Sequence, residues 1–443
     1  MRPRDTQQRS PGGAGAVIDR IPARWDVLVI GGGPAGATSA ALLARAGLQV
    51  ACLERERFPR FHVGESLLPA NIPLFERLGV LPCLEAAGFI RKHGAAFIDE
   101  IEGRELYIDF HGGPTWADHA YNVPRADFDR VLLEHAGKEG AAVVEGARVE
   151  TVDVSREGVR VGVETDDGAR CTMEAAFLVD ASGRDAVMAT RLGSREPMPD
   201  LGKVALFAHY RGAERWPDRR EGFLRIHLFQ HGWFWWIPLA GDLTSVGCVL
   251  HQRVVKTRSS LPSRLFEDMI TACPRLAAGL AGAKRATDVW SAANFSYRTR
   301  PAVGDRFIAI GDAVTFVDPI FSSGVYIAMQ SAELAAGTVA DCFRQSDFRV
   351  SRFDRYRRVV QSGSDLFFRL IEQFYDPAFL DVFFLPRPPA VFRNAVTTVV
   401  VGGAFLRQPL WLRLRLGVLH LLAHRMRRRR RREGRPVDSR VSW

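Results

Sequence analysis

The stretch Trp25–Glu54 (WDVLVIGGGPAGATSAALLARAGLQVACLE) constrains the fold more than any other part of the chain. Asp26–Ile30 is β-branched and aliphatic, which predicts a strand buried on both faces in a parallel sheet. It runs into Gly31-Gly32-Gly33-Pro34-Ala35-Gly36, a G-x-G-x-x-G pattern with Gly31, Gly33 and Gly36 in the glycine places. Thr38–Ala46 predicts a helix stopped at Gly47, and Leu48–Leu53 a second strand closing on Glu54. Each glycine has a physical task. Gly31 permits the tight turn, Gly33 lets backbone approach a pyrophosphate, and Gly36 lets helix and strand pack closely. Pro34 and Ala35 lie inside the motif and are assigned to the cofactor with it; the helix N-terminus that follows offers unpaired N–H groups and a partial positive charge to phosphate. Glu54, at the end of the second strand, suits a ribose diol. The pattern predicts dinucleotide binding; by itself it does not choose between FAD and NAD, and the alternative is a glycine-rich turn without a ligand.

Composition narrows the class. A chain of 443 residues exceeds one small core, so several lobes are expected. The cysteines Cys52, Cys83, Cys171, Cys248, Cys273 and Cys342 are scattered without a C-x-x-C pair. That spacing predicts no zinc site and no disulfide scaffold, and fits a reducing cytoplasm. The first residues are polar and Gly/Pro-rich, without the apolar core of a signal peptide. Nine arginines against Glu433 and Asp438 put seven of the ten net positive charges after residue 424. Basicity is thus a property of the tail, read as solvated and disordered or as a contact for an acidic partner or surface.

Along the chain, the Lys203–Leu250 region alternates like an antiparallel sheet, and Phe307–Ile310 returns late as a core strand ending in Gly311-Asp312. The expected fold class is α/β. It comprises a doubly wound dinucleotide domain interrupted by a large antiparallel substrate-side sheet, followed by a helical C-terminal region. The expected boundaries are a disordered lead over 1–22, the dinucleotide domain over 23–200 and 285–345 with the Lys92 segment inserted in it, and the sheet over 201–284. A helical region over 346–424 and a disordered basic tail over 425–443 complete the chain. A plain dehydrogenase would run its six strands consecutively, so this interrupted layout favours FAD.

Four motifs together resemble the flavin-dependent halogenases of the phenol and pyrrole type, within the FAD monooxygenases built like para-hydroxybenzoate hydroxylase. The first is the fingerprint with Asp180-Ala181-Ser182-Gly183-Arg184 and Gly311-Asp312 as companions; by resemblance Asp180, Gly183, Gly311 and Asp312 serve the cofactor, with Arg125 on the flavin side. The second, Trp233-Phe234-Trp235-Trp236-Ile237-Pro238, is similar to the halogenase W-x-W-x-I-P, whose tryptophans wall substrate off from the flavin. The third, Phe316 to Gly324, fits F-x-x-P-x-x-S-x-G: Phe316 and Pro319 would line the site, and Ser322, Ser323 and Gly324 would sit beside the ring and the halide. The fourth is Gly64–Pro69 (GESLLP) with Phe89–Phe97, where Lys92 matches the essential lysine and His93 reads as structural.

The resemblance implies reduced FAD delivered by a separate flavin reductase, O2, and chloride or bromide. A flavin hydroperoxide yields hypohalous acid, which reaches Lys92 and halogenates an electron-rich ring. Phenol or pyrrole, free or tethered to an acyl carrier protein, ranks above tryptophan. The rival is an FAD aromatic monooxygenase of the same fold. Leu412, Leu416 and Leu419 before the arginines would permit weak contact with a membrane surface. No nucleic-acid module accompanies the arginines, so no nucleic-acid partner is expected.

Overall fold

The computed structural model describes residues 22–111, 117–197, 202–258, 261–293, 297–300, 302–316, 318–385 and 423–434. The strand predicted from DVLVI spans Arg24–Ile30, and its Val27, Leu28 and Val29 are fully buried. It pairs in parallel with Val50–Glu54 on one side and Arg170–Asp180 on the other. Ala142–Glu145 and Phe307–Ala309 extend the parallel sheet at its two sides. One face is covered by the helix Pro34–Arg45 and the helix Gly324–Gln345, both rich in small residues. The other face is covered by the hairpin Ala147–Val154 and Val159–Thr165. Gly31, Glu54, Ala181 and Gly311 all follow the carboxyl ends of these strands. Open α/β sheets bind ligands in the crevice there.

The second sheet is larger than the sequence predicts and not purely antiparallel. Lys203–Arg211, Leu243–His251, Gly232–Pro238 and Leu224–Phe229 pair antiparallel in that spatial order. Gly94–Asp99 then adds in parallel to Leu224–Phe229, and Arg104–Asp109 follows. Those two strands fall in the segment around Lys92 expected as an insertion in the dinucleotide domain, and they join the second sheet. The reason is a pairing between segments more than a hundred residues apart, which local patterning cannot reveal. One face of this sheet joins the core around the dinucleotide domain, and the other packs on the helix Pro262–Thr271.

The C-terminal region is helical as expected, with Asp354–Phe374 and Pro377–Phe383. The basic tail departs from expectation: residues 423–432 are helical, and Ala423 and Arg430 are buried. Arg430 Nε reaches Asp381 Oδ2 at 2.6 Å, an acid that also takes Arg104. A charge run reads as solvated from sequence alone; a buried partner for one of its members changes the outcome. The lead over 1–21, the leucines at 412, 416 and 419, and residues 435–443 lie outside the described residues. Among the described residues no helix is long and apolar enough to cross a membrane.

Candidate active site

A cavity of about 560 Å³ opens at the carboxyl ends of the parallel strands and runs to the second sheet. Its cofactor end is built by the glycines. Gly31 has φ +98°, and a Cβ there would lie 2.5 Å from Ala181 O. A Cβ on Gly36 would meet Gly31 O at 1.8 Å, so helix and strand touch only because it has none. At Gly33 the nearest atom to such a Cβ is Arg60 Nη2 at 3.5 Å, which leaves the approach to this backbone open. Gly33, Pro34 and Ala35 line the cavity where the helix begins. Glu54 is buried there, accepting from Gly32 N at 2.6 Å and Glu56 N at 2.9 Å. A carboxylate offers about four acceptor sites, so sites remain for a ribose diol. These residues fit FAD.

The companion residues divide. Gly183 and Asp312 line the cavity. Burial pushes the Asp312 carboxyl up to about 6, against the pull of the Arg125 and Arg184 cations. Asp180 does not line it. Its carboxylate accepts from Ser182 N at 3.1 Å and Met188 N at 2.8 Å, and so shapes the turn that carries Ser182, Gly183 and Arg184. Gly311 also stands back, its N–H donating to Ser331 Oγ at 2.9 Å, with Ala35 and Ala328 within 3.4 Å of where a Cβ would point. Arg125 lines the cavity, yet its fork is engaged by Asp129 at 2.7 and 2.9 Å and a third nitrogen donates to Val63 O at 2.9 Å. It pins the segment that leads to Glu65 and Ser66. Asp129 also pairs with Arg60 at 3.1 Å. Arg60, in the loop RERFPRF, thus also lines the cavity beside Gly33.

On the second sheet, alternation in Gly232–Pro238 sends Trp233, Trp235 and Ile237 to the cavity and Phe234 and Trp236 to the opposite core. The Trp233 and Trp235 rings lie 6.1 Å apart. Trp233 Nε1 donates to Tyr375 OH at 3.1 Å and Trp235 Nε1 to Ser245 Oγ at 3.1 Å, so both rings are held. Tyr375 OH in turn donates to Asp318 at 2.7 Å, and Lys203 Nζ pairs with Asp318 at 3.0 Å. Asp318 thereby ties the wall to the loop containing Phe316, Pro319, Ser322 and Gly324, all of which line the cavity. Ser322 adopts φ +56°. Ser323 Oγ is buried without a hydrogen-bond partner, at the first turn of a 22-residue helix. Helix-start N–H groups, the helix dipole and an unpaired hydroxyl together suit a small anion.

Lys92 ends the short strand Ile90–Lys92, opposite Ala120, and is 1% exposed, whereas its neighbour Arg91 faces solvent. Its Nζ donates to Ser66 Oγ at 2.9 Å and to Leu67 O at 2.7 Å, and sits 5.5 Å from the Phe110 ring centre. Burial alone pushes its pKa down to about 7. Lys92 does not itself line the cavity; Ser66 does, one hydrogen bond away. Glu65 beside it lines the cavity and accepts from His209 Nε2 at 3.0 Å. Glu65 and Ser66, within GESLLP, were not among the expected site residues; their burial and the bond to Lys92 join segments 26 residues apart, which no local pattern marks. His93 is half-exposed, against Asp118 and Arg219.

Glu100, His227 and Cys273 form a further cluster behind the second sheet. His227 Nδ1 lies 2.8 Å from Glu100, and Arg275 N donates to its other oxygen at 3.2 Å. Burial would raise the Glu100 pKa, but these donors and the Cys273 thiol outweigh it and hold it low. The cluster is a hydrogen-bonded carboxylate in the wall of the core, away from the cavity.

The FAD binding domain family matches residues 24–359. A 1H-pyrrole-2-carbonyl peptidyl-carrier-protein chlorinase of Pseudomonas fluorescens is 34% identical over 376 residues, covering 79% of this chain and 83% of that one. A tryptophan 2-halogenase of Chondromyces crocatus is 34% identical over 363 residues, covering 81% and 69%. Among solved structures, the flavin-dependent brominase Bmp2 superposes with TM-score 0.81 at 29% identity, over 91% of this chain and all of that one. A flavoprotein/dehydrogenase of Cytophaga hutchinsonii reaches TM-score 0.84 at 27% identity, over 91% and 98%, so the backbone alone does not fix the chemistry. With the glycine cradle, the tryptophan wall and the serine loop on one cavity, and with relatives of this identity and coverage, the chain belongs to the flavin-dependent halogenases, FAD-binding enzymes of the oxidoreductase type.

Proposed function

We propose that this enzyme halogenates an electron-rich aromatic ring of the pyrrole or phenol class, presented on a carrier protein, and that Lys92 delivers the halogen. The observation that carries the reading is a lysine buried to 1% exposure whose two hydrogen-bond acceptors are both neutral. A buried ammonium without a carboxylate is costly, and such a group is kept where its reactivity is used. The name of the pyrrole-carrier chlorinase supports the ring and its tether.

The balance is ring C–H, halide, O2, reduced FAD and one proton giving ring C–halogen, oxidised FAD and two waters. FAD, when reduced, supplies the activation of O2 that oxidises the halide. Only one dinucleotide fingerprint is present in the sequence, so a separate reductase supplies the reduced flavin. Ser322, Ser323 and the N–H groups at Gly324 hold the halide. Trp233 and Trp235 keep the ring away from the flavin. Hypohalous acid passes Glu65 and Ser66 to Lys92. There the neutral amine takes the halogen with loss of water, and the ring then takes it from nitrogen, returning the amine. Burial at about 7 keeps both amine and ammonium present at neutral pH. Glu65 takes up the ring proton and returns it, by way of the Ser66 hydroxyl, to the nitrogen that has given up the halogen, so the free amine is restored.

The test is mass spectrometry of pyrrole and phenol panels, free and carrier-loaded, with a flavin reductase, NADH, FAD, O2 and bromide, beside Lys92→Ala. The expected result is a bromine isotope doublet absent from the variant. Oxygenated product without halogen would move the enzyme to the hydroxylases, and a brominated tryptophan would replace the ring class.

A further inference from the structure

The basic C-terminal helix is more ordered than its composition suggests, and its charges are sorted. On one side Ala423 and Arg430 are buried, and Met426 packs on the main core. Arg430 is fixed by Asp381 at 2.6 and 2.7 Å, and Arg427 pairs with Asp376 at 2.8 Å. These contacts hold the helix to the body. Arg425, Arg428, Arg429 and Arg432 follow one another at helical spacings of three and four, so they share the opposite, exposed face. Arg429 pairs with Glu433 at 2.7 Å; Arg425, Arg428 and Arg432 make no ion pair with any described residue. Like charges at such spacings destabilise a helix. The fold therefore anchors, with a buried arginine, a helix whose outer face repels itself. Such a face is stabilised by an anionic partner.

Its place in the molecule bears on which partner. Asp376 and Asp381, the acids that hold it, belong to the short helix after Tyr375, and Tyr375 bonds Trp233 and Asp318. The arginine face is thus braced on the element that supports the wall of the active site. We infer that the exposed arginine face of residues 425–432 is the docking surface for an acidic carrier protein, which brings the ring in on its phosphopantetheine arm. This rests on the carrier-tethered reading above. The arginines match the carrier's acidic surface and the phosphodiester that begins the arm. Seven of the chain's ten net positive charges lie after residue 424, so the attraction is local and salt-sensitive.

The experiment uses the full-length enzyme and the triple variant R425E/R428E/R432E, with an acidic peptidyl carrier protein bearing pyrrole-2-carbonyl as probe. The same acyl group on N-acetylcysteamine is the untethered substrate, and circular dichroism melting checks that the variant is folded. The expected result is a rise of about tenfold or more in KM for the carrier-borne ring, mostly through slower association, with the untethered thioester processed as before. Interferometry of holo-carrier binding should fall in parallel, and wild-type binding should weaken with salt while the variant's does not. If the variant melts early, R428E alone and the wild-type salt titration carry the comparison. Equal carrier binding and turnover in wild type and variant would overturn the docking surface while leaving tethered halogenation intact. A wild type that brominates the untethered thioester and refuses the carrier-borne one would overturn the tethered reading and the surface with it. Wild-type binding to anionic vesicles or DNA at physiological salt, with none to the carrier, would also overturn it.

Discussion

Two lysines in this molecule are buried to 1% exposure, and their surroundings differ in one respect. Lys203 faces the carboxylate of Asp318 at 3.0 Å and the Tyr375 ring, and burial lowers its pKa only to about 8 because Asp318 pulls it back up. Lys92 faces a hydroxyl and a carbonyl, and burial lowers its pKa to about 7. The first arrangement makes a strut: it joins the second sheet to the serine loop, and through Tyr375 to Trp233. The second brings an amine close to neutral titration, the property that the proposed delivery of halogen requires. Burial of a cation is common to both, and the presence or absence of an opposing charge decides which is structure and which is chemistry.

The sharpest way to break that comparison is to remove each lysine and ask what fails. Lys92→Ala should cost halogenation on the order of 10²–10⁴-fold, the range of a positioned acid–base or delivering group, while reductase-coupled flavin oxidation continues to yield hydrogen peroxide. Product by mass spectrometry and peroxide by colorimetry check the two halves. Lys203→Met should do the opposite. It strands the Asp318 carboxylate in the core, which costs about 3–5 kcal/mol and lowers the thermal midpoint. Lys92→Met leaves only Ser66 and Leu67 short of a donor, about 1–3 kcal/mol offset by relief of the buried charge. If Lys92→Met destabilised as much as Lys203→Met, the distinction between strut and titrating amine would collapse.

A pH titration sharpens the same contrast. The folded pKa of Lys92, about 7, lies below its ordinary value of 10.5. Between those values the unfolded chain holds the extra proton, so stability rises with pH through that window and is flat below it. The slope is at most about 1.4 kcal/mol per pH unit. Lys203 contributes with the same sign from about 8 to 10.5. Lys92→Met should remove the rise between pH 7 and 8 and about halve the slope from 8 to 10.5, where Lys203 still contributes. In the assay, halogenation should climb through pH 7 as the amine forms, while flavin oxidation does not follow it. A halogenation rate that falls through pH 7 would assign the ammonium, donating to hypohalous acid, as the working form.

Much of this was legible in the sequence, and what was not shares a cause. Gly31, Gly33 and Gly36 act within one turn, so their spacing alone states their roles. Trp233 and Trp235 are readable because a strand repeats every two residues. Lys203 and Asp318 are 115 residues apart, and Tyr375 is 57 beyond Asp318, so no local pattern joins them. Asp180 and Arg125 were assigned to the cofactor by resemblance. The structure turns the first to its own loop and engages the second with Asp129, because buried polar groups near a site must first satisfy one another. Arg430 was lost in a run of arginines, since only its partner 49 residues away distinguishes it.

The smallest expected effect tests Ser323, which stands behind the cavity wall between Ser322 and Gly324. Ser323 Oγ is buried and unpaired, whereas the Ser66 hydroxyl accepts from Lys92. A hydroxyl that donates to an anion contributes about 1.5–3 kcal/mol, so Ser323→Ala should raise the halide KM roughly ten- to a hundredfold. With Lys92 intact, the maximal rate at saturating bromide should stay near wild type, and peroxide release should increase only at low bromide. The split separates holding the halide from delivering the halogen. A Ser323→Ala enzyme with an unchanged halide KM would leave the backbone N–H groups at the start of the helix as the whole of the halide site.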